Sequence, residues 1–423
     1  MIPRVKRQHW IPPIALGAGQ IAHGASWVLL FLLALDGATF GLPALAWLHL
    51  VALGWLTLTA LAVLVHVIPA FTDVPWKAGR VARGALFVYA AGVLLVVAAF
   101  WTRSTEALPW AGSLVAVALI GYLIPAARTL AAASLGPRVE AAIARALTIT
   151  LGALLVTVAI GVALAFALAG RAPASLLTAG PPIHATFGLI GWLTILIMGV
   201  SARTVRPISG GGSRYPWAHI VAGSLEVAGV LIFASGTLFG VPIVTVCGAI
   251  ALLAGAVVYA ADVAGVLLRA TVSHRPPQAF FAAGTVWLVA GLALFTGTVA
   301  GAPWGPVTAY VILIGWAGQL VNAHIHHIGI RLMATIARGD DDETRPGELL
   351  AAPLSWATFV FFQCAVAAGA VALLVQLPSL LAAAALAGLA GWLMLGVNMF
   401  VAANRARQPQ PPPDSRATIS LLG

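Results

Sequence analysis

Charge is scarce in this sequence. Aspartate, glutamate, lysine and arginine together make up 8% of the 423 residues, where a soluble domain carries about 25%. A water-soluble protein of this length is excluded. Cysteine is scarcer still: Cys247 and Cys364 both fall inside apolar stretches, which excludes a disulfide framework and a cysteine metal cluster. No nucleotide-binding glycine loop, long linker or separate polar domain interrupts the chain. Acidic residues number 12 against 22 lysines and arginines, a net charge of +10. The arginines stand in short breaks between apolar runs, so the excess reflects membrane topology and not a nucleic-acid partner.

What remains is apolar. Hydrophobic residues are 61% of the chain and the mean hydropathy is +1.01. A bilayer crossing needs about 20 apolar residues, and the sequence supplies such runs at 12–35, 43–69, 84–101, 109–131, 144–169, 178–203, 217–235, 241–268, 279–299, 304–331, 354–376 and 380–403. The first lacks a small-residue cleavage pattern and reads as a retained helix. The expected fold is an all-α polytopic membrane protein, with residues 1–403 a single domain of 12 transmembrane helices embedded in the lipid bilayer. Residues 404–423, rich in Pro, Arg and Asp, read as a disordered cytoplasmic tail. Basic residues alternate along the loops: Arg4, Lys6 and Arg7, then Lys77, Arg80 and Arg83, then Arg128, Arg138 and Arg145, and so on to Arg405 and Arg407. The intervening loops hold only Arg103 and Arg171. This alternation places both termini in the cytoplasm. The acidic run Asp340-Asp341-Asp342-Glu343 then falls in a solvated cytoplasmic loop.

One motif recurs. Gly54-Trp55, Gly191-Trp192 and Gly315-Trp316 are 137 and 124 residues apart, and His66, Arg203 and His327 each follow the glycine by twelve residues. His49 and Tyr310 precede it by five, His184 by seven. A unit of about four helices used three times accounts for this, with units at about 12–131, 144–268 and 279–403 in a pseudo-threefold arrangement.

Ionisable groups within a span are costly and tend to face a cavity, a partner or a cofactor. The candidates near the outer ends of helices 2 and 6 are His49 and His184, with Tyr310 at the corresponding place on helix 10. His66, His219, His324, His326 and His327 gather toward the inner side, and His23 lies midway along helix 1 with Gln20 one turn before it. Imidazole is a common ligand of haem iron and of copper. His49 and His66 are 17 residues apart, roughly 25 Å along a helix, so one metal cannot take both. For each histidine the alternative is a hydrogen-bonded buried or interfacial residue. Arg203 is a candidate for pairing with a haem propionate or an inner-boundary residue, Glu226 is a candidate proton relay, and Asp262 a weaker one. His9 and His274 read as surface residues.

With twelve helices in three groups, histidines on helices 2, 6, 7 and 10, and His324-Ile325-His326 on helix 10, the chain resembles the catalytic subunit of haem–copper oxidases. That resemblance implies His49 as a helix 2 haem ligand, His184 as a helix 6 copper ligand and the helix 10 pair as haem ligands. From their intramembrane placement, His23 and His219 are further metal candidates, and Tyr310 and Glu226 are catalytic candidates. The stretch Pro182-Ile183-His184-Ala185-Thr186-Phe187-Gly188, with Gly191-Trp192 and Arg203, is also similar to the NnrS family of haem- and copper-containing membrane proteins linked to nitric oxide. The chain departs from the oxidase pattern in following His184 with Ala185-Thr186-Phe187 and in offering only His219, near the inner end, on helix 7. A divergent haem-binding or haem-and-copper-binding protein of the bacterial inner membrane is expected. It would carry haem b, with copper as a second candidate, act on NO or O2 or in electron transfer, and draw on a redox partner or accessory subunit. No Cys-x-x-Cys-His is present, so covalent haem attachment is excluded. The rival reading is a proton-coupled secondary transporter without a metal, its histidines, Glu226 and Asp262 lining the route.

Overall fold

Among the described residues (11–37, 41–72, 74–133, 138–339 and 344–408 of this computed structural model) twelve helices are long and apolar enough to cross a bilayer, and no strand is present. They are α1 Pro13–Leu35, α2 Leu42–Thr72, α3 Gly79–Trp101 and α4 Thr105–Ala131. Next come α5 Ala144–Leu168, α6 Leu176–Ser209, α7 Ala218–Phe239 and α8 Pro242–Leu267. The last four are α9 Pro276–Val299, α10 Gly305–Arg338, α11 Ala352–Leu374 and α12 Pro378–Arg407. Prolines occupy the first turns of α2, α8, α9, α10, α11 and α12, where a missing amide removes no helical bond. Helices α2, α6, α10 and α12 overrun the expected limits at the arginine-bearing end, so Arg206 and Arg338 lie on helices and not in loops. The basic N-terminal residues, His9, the acidic run 340–343 and the tail beyond 408 lie outside the described residues.

The three helices that carry the Gly-Trp motif form the centre. Within the 18-residue apolar stretch of each helix, 67% of residues are buried in α2, 56% in α6 and 83% in α10, against 28–44% in the other nine. The outer helices pack as sequential pairs, α3 with α4, α7 with α8 and α11 with α12, and α1 packs against α12. A helix that is apolar all round suits either the core or lipid. The polar groups of α2, α6 and α10 need surroundings other than hydrocarbon, and the core supplies them.

Each central helix widens at the same place. Leu50–Thr57, Phe187–Thr194 and Val311–Gly318 are π-helical, eight residues each, with the Gly-Trp pair as residues five and six. A π-helix closes its hydrogen bonds one residue further on than an α-helix, is rare, and is concentrated at functional sites. The recurrence read from the sequence is therefore carried in the backbone itself. The indoles link the segments in cyclic order. Trp192 Nε1 donates to Thr57 Oγ1 at 2.9 Å, and Trp316 Nε1 donates to Thr194 Oγ1 at 3.1 Å. The third step would run from Trp55 to residue 318, which is glycine. A Cβ there would stand 2.8 Å from Trp55 Cη2, and the Trp55 N–H, fully buried, has no partner.

At the arginine-bearing end His274, between α8 and α9, is half-buried against Gly347, and its Nε2 lacks a partner. Burial holds this imidazole below its ordinary value. Its unfolded form therefore takes up a proton before the folded form does, so stability falls as pH drops through about 6.5 and the penalty is absent above it. His274→Leu is expected to flatten the melting temperature between neutral and mildly acidic pH. An unchanged pH profile would remove His274 as its source.

Candidate functional site

The structure brings two predicted ligands together. His49 ends the first α-helical stretch of α2, immediately before the π-helical segment, and His184 stands three residues before Phe187, where the Phe187–Thr194 segment of α6 begins. Their ring centres are 6.3 Å apart with the planes inclined at 23°. His49 Nδ1 donates to the Leu45 carbonyl at 2.8 Å, within its own helix, and His184 Nδ1 donates to the Thr157 carbonyl of α5 at 2.9 Å. A carbonyl only accepts, so each Nδ1 carries the proton and each neutral ring presents a lone pair at Nε2. Metal-ligating histidines are held in this way, with one ring nitrogen tied to a carbonyl and the other turned to the metal. A metal–nitrogen bond of about 2 Å on each side, with the ring radii added, separates two opposed imidazoles by roughly 6 Å. The ring centres stand at that separation, with the two planes near parallel. Phe100, at the end of α3, stacks on His49 at 4.8 Å, and Gly161 of α5 leaves the space in which His184 sits.

The remaining histidines are distributed elsewhere. His23 is fully buried, lies flat on Trp55 at 3.5 Å, and is boxed by Trp27 and Phe362. Both of its ring nitrogens lack partners. His66 is half-buried toward the arginine-bearing end of α2, its Nε2 unpartnered. His324 is tied at both nitrogens, 2.6 Å from the Leu320 carbonyl and 2.9 Å from Thr204 Oγ1, beside Arg203 in sequence. His326 is fully buried next to Phe280 and donates from Nδ1 to the Asn322 carbonyl. His327 is half-buried in the same π-helical turn, Ile325–Gly329. His324 follows Tyr310 by 14 residues on α10, about 20 Å along the axis, so the helix 10 histidines stand at a different depth from His49. Tyr310 has the place that His49 holds on α2, but its hydroxyl donates to the Ala365 carbonyl at 2.8 Å and its ring stacks on Trp47.

His219 takes no part in the pair. It sits at the opposite end of the bundle, where its Nδ1 is 2.6 Å from Asp262 Oδ2, and Ser213 Oγ donates to Asp262 Oδ1 at 2.6 Å. Glu226, two turns further along α7, is fully buried, and neither carboxyl oxygen has a hydrogen-bond partner. Among the described residues no three of His, Cys, Asp and Glu converge into a group that could hold a metal ion.

The sequence identified His49 and His184 but not what orients them. The Leu45 and Thr157 carbonyls are backbone atoms with no residue signature, and Phe100 and Gly161 are ordinary members of apolar runs. The Trp–Thr links had a signal in hindsight, since Thr57 and Thr194 each follow their tryptophan by two residues. Compared with protein-family models and with curated proteins, the chain matches none.

Proposed function

We propose that this is a redox protein of the bacterial inner membrane that holds a metal between His49 and His184, as the iron of haem b or as copper. Electron transfer or the handling of NO or O2 would follow from it. The observation that carries the reading is the pair itself: two imidazoles from two central helices, 6.3 Å apart, each pinned at Nδ1 by a carbonyl. When bound, haem or copper supplies one-electron chemistry that side chains lack. The protein's own contribution is to fix the ring tautomers through Leu45 and Thr157, to cover His49 with Phe100, and to surround both with hydrocarbon. The alternation of basic loops supports cytoplasmic termini, which puts the pair at the outer face, where a redox partner or accessory subunit would dock. The cyclic Trp–Thr order supports a threefold arrangement of the four-helix units.

The test is a reduced-minus-oxidised optical spectrum with metal analysis of protein purified from cells supplied with haem and copper. A b-type signal is expected for haem, and copper near one per chain without that signal for copper alone. A featureless spectrum from metal-free protein would remove the reading. The buried Glu226 and the His219–Asp262 pair would then favour the second one, a proton-coupled transporter without metal.

A further inference from the structure

The seam between α7 and α8 carries a file of ionisable groups that the His49–His184 pair does not use. It starts at the arginine-bearing end. Asp262 of α8 accepts from Ser213 and pairs with His219 of α7, and Arg206 acts on the same carboxylate from α6. His219 Nε2 is buried without a partner. One turn deeper on α8, Tyr259 presents a buried hydroxyl beside the Ser201 hydroxyl of α6, its ring edge-on to both His219 and Trp316 at 5.6 Å. One turn deeper again, Gly255 faces Glu226, whose Oε1 stands 3.0 Å from where a Cβ would lie. A side chain at 255 would press on that carboxyl. His219 and Glu226 are seven residues apart on one face of α7, about 10 Å along the helix.

Each of these unpartnered atoms costs on the order of 1–3 kcal/mol if it stays dry, and a carboxylate inside the membrane without a counter-charge costs more. Three buried proton-carrying groups on one seam, His219, Tyr259 and Glu226, of which the shallowest is backed by a carboxylate, form a file that takes up protons. We propose that α7 and α8 carry protons from the aqueous phase at the arginine-bearing end to Glu226, along His219 and Tyr259 with water between them. A hydronium ion gives its proton to His219 Nε2 and becomes water, and the imidazolium is steadied by Asp262. Nε2 then releases that proton to intervening water, which protonates the Tyr259 oxygen as the Tyr259 hydroxyl gives its own proton, through water, to the Glu226 carboxylate. His219, Tyr259 and the waters return to their starting forms, and the net change is one proton moved from the aqueous phase to Glu226. Water that satisfies several buried polar groups in this way is part of a structure and not a defect in it. The path is independent of whether His49 and His184 hold a metal.

The experiment is infrared spectroscopy of the full chain in lipid during exchange from H2O to D2O. A carbonyl stretch of a protonated carboxyl is expected, absent in Glu226→Gln, that shifts rapidly in D2O. His219→Leu is expected to leave the band in place, showing an intact Glu226 site, and to slow its shift at least tenfold. Tyr259→Phe is expected to slow it severalfold and provides the same test should His219→Leu fail to fold. A band unaffected by Glu226→Gln would overturn the proposal, as would exchange in both path variants as fast as in the unsubstituted chain.

Discussion

Replacing either His49 or His184 with alanine is expected to abolish metal retention, and replacing His66 or His324 is expected to leave it unchanged. With one imidazole gone, the partner ring is still pinned at Nδ1, but the metal loses one of the two side chains that the proposed site supplies. Changing the support of a ligand without touching it costs roughly 10- to 100-fold in affinity in known metal sites. Gly161→Leu provides that case, since a Cβ at this position would stand 2.9 Å from His184 Cε1 and must push the ring from its seat. The expected order of metal content is unsubstituted chain, then Gly161→Leu, then the two alanine variants with none. Metal content and the optical spectrum are read on protein whose helical circular dichroism matches that of the unsubstituted chain. Full metal content in both alanine variants would dismiss the pair as the site, and loss in His324→Ala alone would move the site to α10.

The architecture was legible in the sequence because the bilayer leaves so few choices. A backbone in hydrocarbon has to satisfy its own hydrogen bonds, so apolar runs of about 20 residues are helices whatever surrounds them. That is why all twelve expected spans appear, with errors confined to the ends. The ends of α6 and α10 were misplaced because arginine stops a hydrophobic run without stopping a helix. Matching depth was legible too: His49 and His184 stand at comparable distances before their Gly-Trp pairs, and they meet. Rotation about the helix axis was not. Whether Tyr310 would face a cofactor or the Ala365 carbonyl depends on the π-helical segments, and a π-helix has no composition that separates it from α. Convergence failed for His219 for a simpler reason, visible beforehand, that it stands at the wrong end of its helix.

The central tryptophans give the second large effect, and its pattern matters more than its size. Trp316→Ala is expected to cost about 3–5 kcal/mol, the range for removing a buried aromatic from a packed core, since Trp316 is fully buried at the meeting of α10 with Thr194 and Tyr259. The phenylalanine variants separate packing from hydrogen bonding. Trp192→Phe and Trp316→Phe each lose an N–H that donates to a threonine, whereas Trp55→Phe loses an N–H with no partner. Leaving a buried donor unpaired costs more than removing it, so Trp55→Phe is expected to destabilise by about 1–2 kcal/mol less than the other two. Unfolding titrations in mixed detergent micelles read the difference. Should Trp55→Phe cost as much as its counterparts, the Trp55 N–H has a partner in the membrane-embedded protein. His23 lies flat on that indole with both ring nitrogens unpaired, and the partner would then be a water or a bound group shared between them. Gly318 keeps that space from being filled by a side chain of the protein's own, because any Cβ there would meet the Trp55 ring.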